Sequence, residues 1–132
     1  MKSSTIVSSF KSPVEKVWNI VTDNTTYNWR SDLSKIIVSE DQKCFFEFTK
    51  DGFQTKFSIT VKKPYEKYEF DINNKNITGH WTGMFFSENS GTRIEFTEEI
   101  TAKNPIMNLF ISSFLKKQQN LYIIDLKKAL GE

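Results

Sequence analysis

The stretch SPVEKVW, residues 12–18, decides the fold of this chain, because it begins a helix directly after a strand pattern. Ser12 is a favourable N-cap residue, Pro13 suits the first helical position, and Glu15 stands where a capping box requires an acidic side chain. The apolar residues of this segment recur at helical spacing and form one stripe: Val14, Val17, Trp18 and Val21. Residues 2–10, which precede the helix, are predicted to form the first strand.

A long series of strands follows the early helical region. Asp23 or Asn24 is predicted to cap a second short helix that carries Trp29. From residue 33 to about residue 102 the apolar period is two. Two strands show this most clearly. The first places Phe53, Thr55, Phe57, Ile59 and Val61 on one face, and the second places Tyr68, Phe70 and Ile72 on one face. Such alternation is typical of half-buried antiparallel strands with one solvated face.

One long helix is predicted to close the sequence. Asn104-Pro105 supplies its cap and first position, and Gly131 ends it. About 26 residues give a length of roughly 39 Å, and seven strands make a sheet roughly 34 Å wide, so the helix can cross the sheet. We therefore predict one α+β domain over residues 1–132. It is a curved seven-stranded antiparallel sheet wrapped around a long C-terminal helix, with two short helices after the first strand.

Composition argues against several classes of function. The net charge is +2, with 18 basic and 16 acidic residues interspersed, so no strong field favours nucleic acid. Cys44 is the only cysteine, which excludes an intramolecular disulfide and fits a reducing compartment. The first residues lack the apolar core of a signal peptide, and the most apolar helical stretch, 106–115, is too short to span a bilayer. We expect a cytoplasmic protein without stable membrane insertion, a monomer or weak dimer.

The order of elements resembles the START/Bet v 1-like (SRPBCC) superfamily, in particular its small bacterial polyketide cyclase/dehydrase and lipid transport members. The resemblance rests on the first strand, the Ser-Pro-x-Glu-x-x-Trp helix of residues 12–18, Asp23, Tyr27, Trp29, six further strands and the final helix. It implies a helix-grip fold, in which an incomplete barrel encloses an apolar cavity. Because the superfamily contains lipid carriers, hormone receptors, cyclases and chaperone activators, the resemblance implies no single activity.

Sequence signatures of enzymes are absent, and no metal site or cofactor is expected, since one histidine and one cysteine cannot build a conventional zinc site. His80 and Glu98 are the two candidates for proton transfer. Both faces of the strand over residues 77–87 are apolar, so its inward face stays open, with a slight preference for Trp81. Glu98 is either a cavity carboxylate with a raised pKa or a residue turned to water by a bulge, and the second alternative is favoured.

The last helix carries two polar residues within an apolar stripe, which comprises Met107, Ile111, Phe114, Gln118, Leu121, Asp125 and Ala129. Burying Gln118 or Asp125 without a partner costs roughly 1–3 kcal/mol, so each is expected to find one. We expect Asp125 to have a structural partner within the protein. For Gln118, a structural partner and a place in the cavity lining are equally favoured. Arg30 is either a contact for an acidic head group at the cavity mouth or, more commonly for this residue type, a solvated side chain.

Aromatic residues dominate the predicted ligand-binding set, which consists of Trp29, Phe48, Phe57, Tyr68, Phe70, Trp81, Phe96, Met107, Phe110, Phe114 and Gln118. The leading hypothesis is the binding or carriage of a small hydrophobic or amphipathic molecule, a lipid or an aromatic metabolite. One alternative is a cyclase or dehydratase in which His80 or Glu98 acts with Gln118. A second is a stress-related or chaperone-activator interaction domain, which predicts a large exposed apolar patch instead of a cavity.

Overall fold

A single antiparallel sheet of seven strands forms the body of the computed structural model. The strands are β1 (Lys2–Phe10), β2 (Leu33–Val38), β3 (Cys44–Thr49), β4 (Gln54–Lys63), β5 (Lys67–Asn73), β6 (Ile77–Glu88) and β7 (Gly91–Ala102). Their order across the sheet is β1-β7-β6-β5-β4-β3-β2, so every neighbour in sequence from β2 to β7 is also a neighbour in space. This confirms the predicted α+β fold, with β1 and β2 at the two edges.

Helix α1 (Val14–Thr22) buries the predicted stripe, but its start differs from the prediction. Pro13 occupies the N-cap position, and no side chain caps the helix. The Ser12 hydroxyl instead donates to Oε2 of Glu132 at 2.7 Å, a contact 120 residues distant in sequence. The predicted capping box was therefore wrong, because the Glu132 side chain provides a charged acceptor for the same hydroxyl.

The second short helix predicted after Asp23 does not form, and residues 23–32 make turns. Oδ1 of Asp23 accepts hydrogen bonds from the backbone N–H and the hydroxyl of Thr25 at 3.0 and 2.6 Å. Local bonds of this kind offer the backbone an alternative to the helix. These turns place Trp29 and Arg30 just before the start of β2.

The C-terminal helix is shorter than predicted and has two parts, α2 (Pro105–Asn108) and α3 (Ile111–Ala129). Asn104 caps α2 as expected by accepting from the Ile106 N–H at 2.8 Å, and Gly131 ends α3 with a φ of +77°. Between the two parts, the N–H of Leu109 bonds to the Ile106 carbonyl three residues back. This tightened turn interrupts the helix where its side chains meet solvent.

The seam that α3 buries lies about one residue away from the predicted stripe. Its buried members are Ile111, Leu115, Gln119, Ile123, Asp125 and Leu126. Gln119 fixes this phase, since its Oε1 accepts from the Ser4 hydroxyl at 2.7 Å and its Nε2 donates to the Ser4 carbonyl at 2.9 Å. The core continues through Val17 and Ile94, both fully buried.

No helix here combines the length and the apolarity needed to cross a bilayer.

Candidate functional site

A cavity of about 240 Å³ lies between the inner face of the sheet and α3. Strands β3 to β7 supply most of its wall, and Gln118 and Tyr122 close it from the helix. Fourteen of its 24 lining residues are hydrophobic, so the cavity is mainly apolar with a small number of polar groups. That composition is typical of sites for small molecules.

Aromatic rings on the sheet fix one another and shape the apolar part of the cavity. The rings of Phe70 and Trp81 stack with centroids 4.8 Å apart and an interplanar angle of 3°. Phe96 packs on the other side of Trp81 at 4.7 Å. Gly83 makes this arrangement possible, because a Cβ there would lie 2.4 Å from Cη2 of Trp81. The wall is therefore held in place before any ligand arrives.

Arg30 anchors a buried ion cluster at the edge of the cavity. Its Nε and Nη2 each donate to the Asp32 carboxylate at 3.2 Å, and its Nη1 donates to Oε2 of Glu47 at 3.3 Å. The rings of Tyr122 and Trp29 lie 4.9 and 5.8 Å from its Cζ. Burial by itself lowers the pKa of Arg30, and the carboxylates more than reverse this.

Of the two sequence alternatives for Arg30, the solvated side chain was wrong. Its side chain is 13% exposed, so it is not a solvated residue. Three of its five N–H groups bond to the carboxylates of Asp32 and Glu47, and its contact with an acidic head group stays a prediction. This pairing could not be predicted from sequence patterns, because Glu47 lies 17 residues away on another element.

Glu98 points into the cavity, and no protein group hydrogen-bonds to its carboxylate. It follows Ile94 and Phe96 on the inner face of β7, opposite Trp81 of β6. Desolvation raises the pKa of Glu98 from 4.5 to about 7, the Glu47 charge adds to this rise, and Arg30 opposes it. The favoured expectation that Glu98 turns to water was wrong, because the β6–β7 register runs without a bulge.

His80 lies on the outer face of the sheet, away from the cavity. Its Nε2 lies 2.6 Å from Oε1 of Glu69 and its Nδ1 lies 2.7 Å from Oδ1 of Asp71. Since both carboxylates only accept, the ring donates from both nitrogens as an imidazolium. Burial lowers the pKa of His80, but the two carboxylates outweigh it and raise the value. The slight preference for Trp81 as the inward residue is confirmed.

Seven of the predicted ligand-binding residues lie together in the cavity wall: Phe57, Tyr68, Phe70, Trp81, Phe96, Phe114 and Gln118. Four do not line it. Trp29 packs edge-on against Tyr122 outside the wall, with centroids 5.4 Å apart. Met107 and Phe110 belong to the interrupted part of the C-terminal helix, where Phe110 is 66% exposed.

The fourth, Phe48, was misplaced because the inward face of β3 was assigned wrongly. Residues 44–49 read CFFEFT, which has aromatic side chains on both faces. The structure turns Phe45, Glu47 and Thr49 inward, and Lys35 covers the Phe48 ring at 4.7 Å on the outside. A charged residue on one face ordinarily argues for solvent, but here Arg30 compensates the charge of Glu47.

Asp125 has the structural partner that the sequence predicted. It is 4% exposed, and its Oδ2 accepts from the backbone N–H and the hydroxyl of Ser31, both at 2.8 Å. These bonds attach the turn of residues 29–32 to α3. Sequence reasoning missed Tyr122, whose ring closes the cavity from the helix, because the predicted stripe was displaced by one residue.

Comparison with known proteins shows the fold. No family model matches the chain, and no curated protein does. A START superfamily protein from Mycobacterium smegmatis superposes with a TM-score of 0.84 at 8% identity, covering 96% of this chain and 95% of the other. A conserved protein from Geobacillus kaustophilus gives 0.85 at 11% identity, covering 98% and 95%.

A third solved structure is DynU16, a protein from the dynemicin biosynthetic locus, with a TM-score of 0.78 at 12% identity. The match covers 99% of this chain and 48% of DynU16. At such low identities the similarity is one of architecture. The chain therefore has the helix-grip fold of the START/Bet v 1-like superfamily.

Proposed function

We propose that this protein binds, and in that way carries, a small hydrophobic or amphipathic molecule in the cavity between the sheet and α3. The observation that carries the proposal is a wall of aromatic rings packed against one another that also presents the unpaired carboxylate of Glu98. Apolar walls supply binding energy through burial, and a few polar groups fix orientation.

The volume of the cavity limits the size of the ligand. Cavities for drug-sized molecules usually measure about 300–1,000 Å³, and a cavity of about 150 Å³ accepts benzene. At about 240 Å³ the cavity suits a molecule of one or two rings, or a short chain of similar bulk. A lipid with two acyl chains would require α3 to move away from the sheet.

Binding is tested by thermal unfolding with 1-naphthylmethanol as the probe, together with native mass spectrometry of the protein as purified. At a probe concentration a hundred times Kd, binding stabilises the folded state by about 2.7 kcal/mol, and Tm rises by several degrees. Gln118→Trp fills the cavity from the helix side and abolishes the shift. Lys117→Trp places the same ring on the exposed side of α3 and preserves it. No shift with any apolar probe and no co-purified mass would refute the proposal.

A second candidate function, catalysis of a proton transfer, is favoured by one observation. Glu98 and Gln118 share the cavity wall, and burial brings the pKa of Glu98 to about 7, which suits a general acid or base at neutral pH. A cyclase or dehydratase requires such a group. His80 plays no part in this alternative, because it lies on the outer face.

The catalytic alternative is tested with 5-nitrobenzisoxazole, a small aromatic substrate for carboxylate bases. The Glu98 carboxylate takes the proton from C3 as the N–O bond breaks, which gives a cyanophenolate that is followed by its absorbance. The account of Glu98 as a base predicts a rate that rises with an apparent pKa near 7 and disappears in Glu98→Gln. Glu99→Gln, the same change at the neighbouring residue of β7, leaves the rate intact. A rate equal in all three proteins would exclude catalysis by Glu98.

A further inference from the structure

We infer that the ligand of this cavity carries a protonated nitrogen on its apolar body, and that Glu98 is the group that recognises it. The inference rests on the proposed function and adds the chemical class of the ligand. It follows from the charges in the wall, from the two ion pairs of Arg30 and from the aromatic rings around Glu98.

The charges that line the cavity are predominantly negative. The wall contains the carboxylates of Asp32, Glu47 and Glu98 and one cation, Arg30, with no lysine or histidine among the lining residues. When all of these groups are ionised, the wall bears two net negative charges. In an interior of low dielectric, such a wall repels a carboxylate or phosphate and attracts a cation.

The charge of the one cation in the wall is already offset by two carboxylates. The guanidinium of Arg30 makes two bonds to Asp32 and one to Glu47, and the rings of Tyr122 and Trp29 lie against it. A ligand carboxylate near Arg30 would also meet the carboxylates of Asp32 and Glu47, so it would gain no net attraction there. Removing one partner of a buried ion pair is strongly unfavourable, so Arg30 stays engaged.

Glu98 is the free charged acceptor in the wall. It stands opposite Trp81 on β6, and Trp81 lies between the rings of Phe70 and Phe96. The titratable groups that face it from other elements are Glu47 on β3, Tyr68 on β5, Tyr122 on α3, and Arg30 with Asp32 in the turn before β2. An ammonium beside Glu98 gains a charge-assisted hydrogen bond and lies near aromatic faces that attract cations.

The test compares three probes that share a ring system: 1-naphthylmethylamine, 1-naphthylmethanol and 1-naphthoic acid. Isothermal titration calorimetry at pH 7.5 is expected to give the order amine, alcohol, acid, with at least a tenfold difference in Kd between the amine and the acid. Glu98→Gln removes the advantage of the amine over the alcohol. Glu99→Gln, the matched control on the same strand, retains it.

The pH dependence gives a second readout that needs no variant. With a pKa near 7, the ionised fraction of Glu98 rises from about 0.1 at pH 6 to about 0.9 at pH 8, so the affinity for the amine rises about tenfold. The affinity for the alcohol shows no such rise. If Glu98→Gln fails to fold, as judged by circular dichroism, this profile decides the question.

The inference is overturned if the acid binds as tightly as the amine, if the preference for the amine survives in Glu98→Gln, or if the affinity for the amine is flat or falls between pH 6 and 8. In those cases binding of the alcohol still upholds the proposed function. If none of the three probes binds, the proposed function and the inference fail together.

Discussion

The two ends of α3 meet the rest of the protein in different ways. At its C-terminal end, which we call the closed end, polar groups are paired: the buried Asp125 carboxylate with Ser31, and the exposed Glu132 carboxylate with the backbone N–H groups of Lys11 and Ser12 at 2.7 and 3.0 Å. At the other end, which we call the cavity end, Phe114 and Gln118 line the cavity, and Glu98 is without a protein partner. The difference indicates that one end holds the fold together, and it agrees with the proposal that the other end accepts a ligand.

Exposed apolar side chains also distinguish the cavity end. Ile106, Leu109, Phe110 and Phe114 are 69, 78, 66 and 54% exposed, and they follow one another over the interrupted helix. The interaction-domain alternative predicted such a patch in place of a cavity. The structure has both, and Phe114 belongs to each of them. The patch therefore does not by itself discriminate between carriage and protein interaction.

Removal of a paired group at the closed end is expected to have the largest effect. Asp125→Ala leaves the Ser31 N–H and hydroxyl without their acceptor and lowers the free energy of unfolding by about 3 kcal/mol, measured by urea denaturation. Lys127→Ala, an exposed change on the same helix, is the control and stays within about 0.5 kcal/mol. Equal stabilities of the two variants would contradict the assignment of Asp125 to the closed end.

Removal of the unpaired charge at the cavity end is expected to act in the opposite direction. The pKa of Glu98 is higher in the folded state than in the unfolded state, so the folded protein binds the proton more tightly and loses stability as the pH rises from 4.5 through about 7. Glu98→Gln avoids this loss. We expect the variant to be more stable than the natural protein by roughly 1–3 kcal/mol at pH 8 and to match it at pH 4.5.

Urea denaturation at the two pH values measures this effect. The difference in the free energy of unfolding between the variant and the natural protein removes the contribution of the other titrating groups. A loss of stability in Glu98→Gln at pH 8 would show that Glu98 has a structural partner, which would remove the contrast between the two ends.

A third and smaller effect on stability is expected on the outer face of the sheet. There, His80 has both of its carboxylate partners, Glu69 and Asp71. The pKa of His80 is raised in the folded state, so its ion pairs stabilise the protein fully below pH 6.5 and lose that effect as the pH rises through the folded-state pKa. His80→Gln is therefore expected to cost more stability at pH 5.5 than at pH 9. Thermal unfolding at both values checks this, and a cost that is larger at pH 9 would argue against the imidazolium.

Sequence patterns predicted the fold well where one face of an element is plainly polar. In β5, Tyr68, Phe70 and Ile72 alternate with Lys67, Glu69 and Asp71, and the structure buries the apolar set. In β3 the pattern CFFEFT offers two apolar faces, so counting aromatic residues selected the wrong one. The inward face contains Glu47, whose burial depends on an arginine from a distant turn.

Sequence patterns were equally unable to decide which polar residues of the helix and of the cavity wall are buried. Gln118 and Gln119 are adjacent, and only the contact of Gln119 with Ser4 on β1 decides which of them is fully buried. Glu98 fits the inward phase of β7, but its charge argued for solvent. Sequence periodicity reports which face of an element is buried. It does not report how the charges of separate elements compensate one another, nor how much space they leave.

The most direct test of the central claim follows the three indole N–H resonances of the ¹⁵N-labelled protein during titration with 1-naphthylmethanol. Trp81 lines the cavity, Trp18 is buried in the core at 4% exposure, and the Trp29 indole donates to the Thr26 carbonyl outside the wall. Ligand entry between the sheet and α3 predicts a saturable shift of the Trp81 resonance, with those of Trp18 and Trp29 nearly unchanged. A titration that leaves Trp81 unmoved, or that moves only Trp29, would contradict the account.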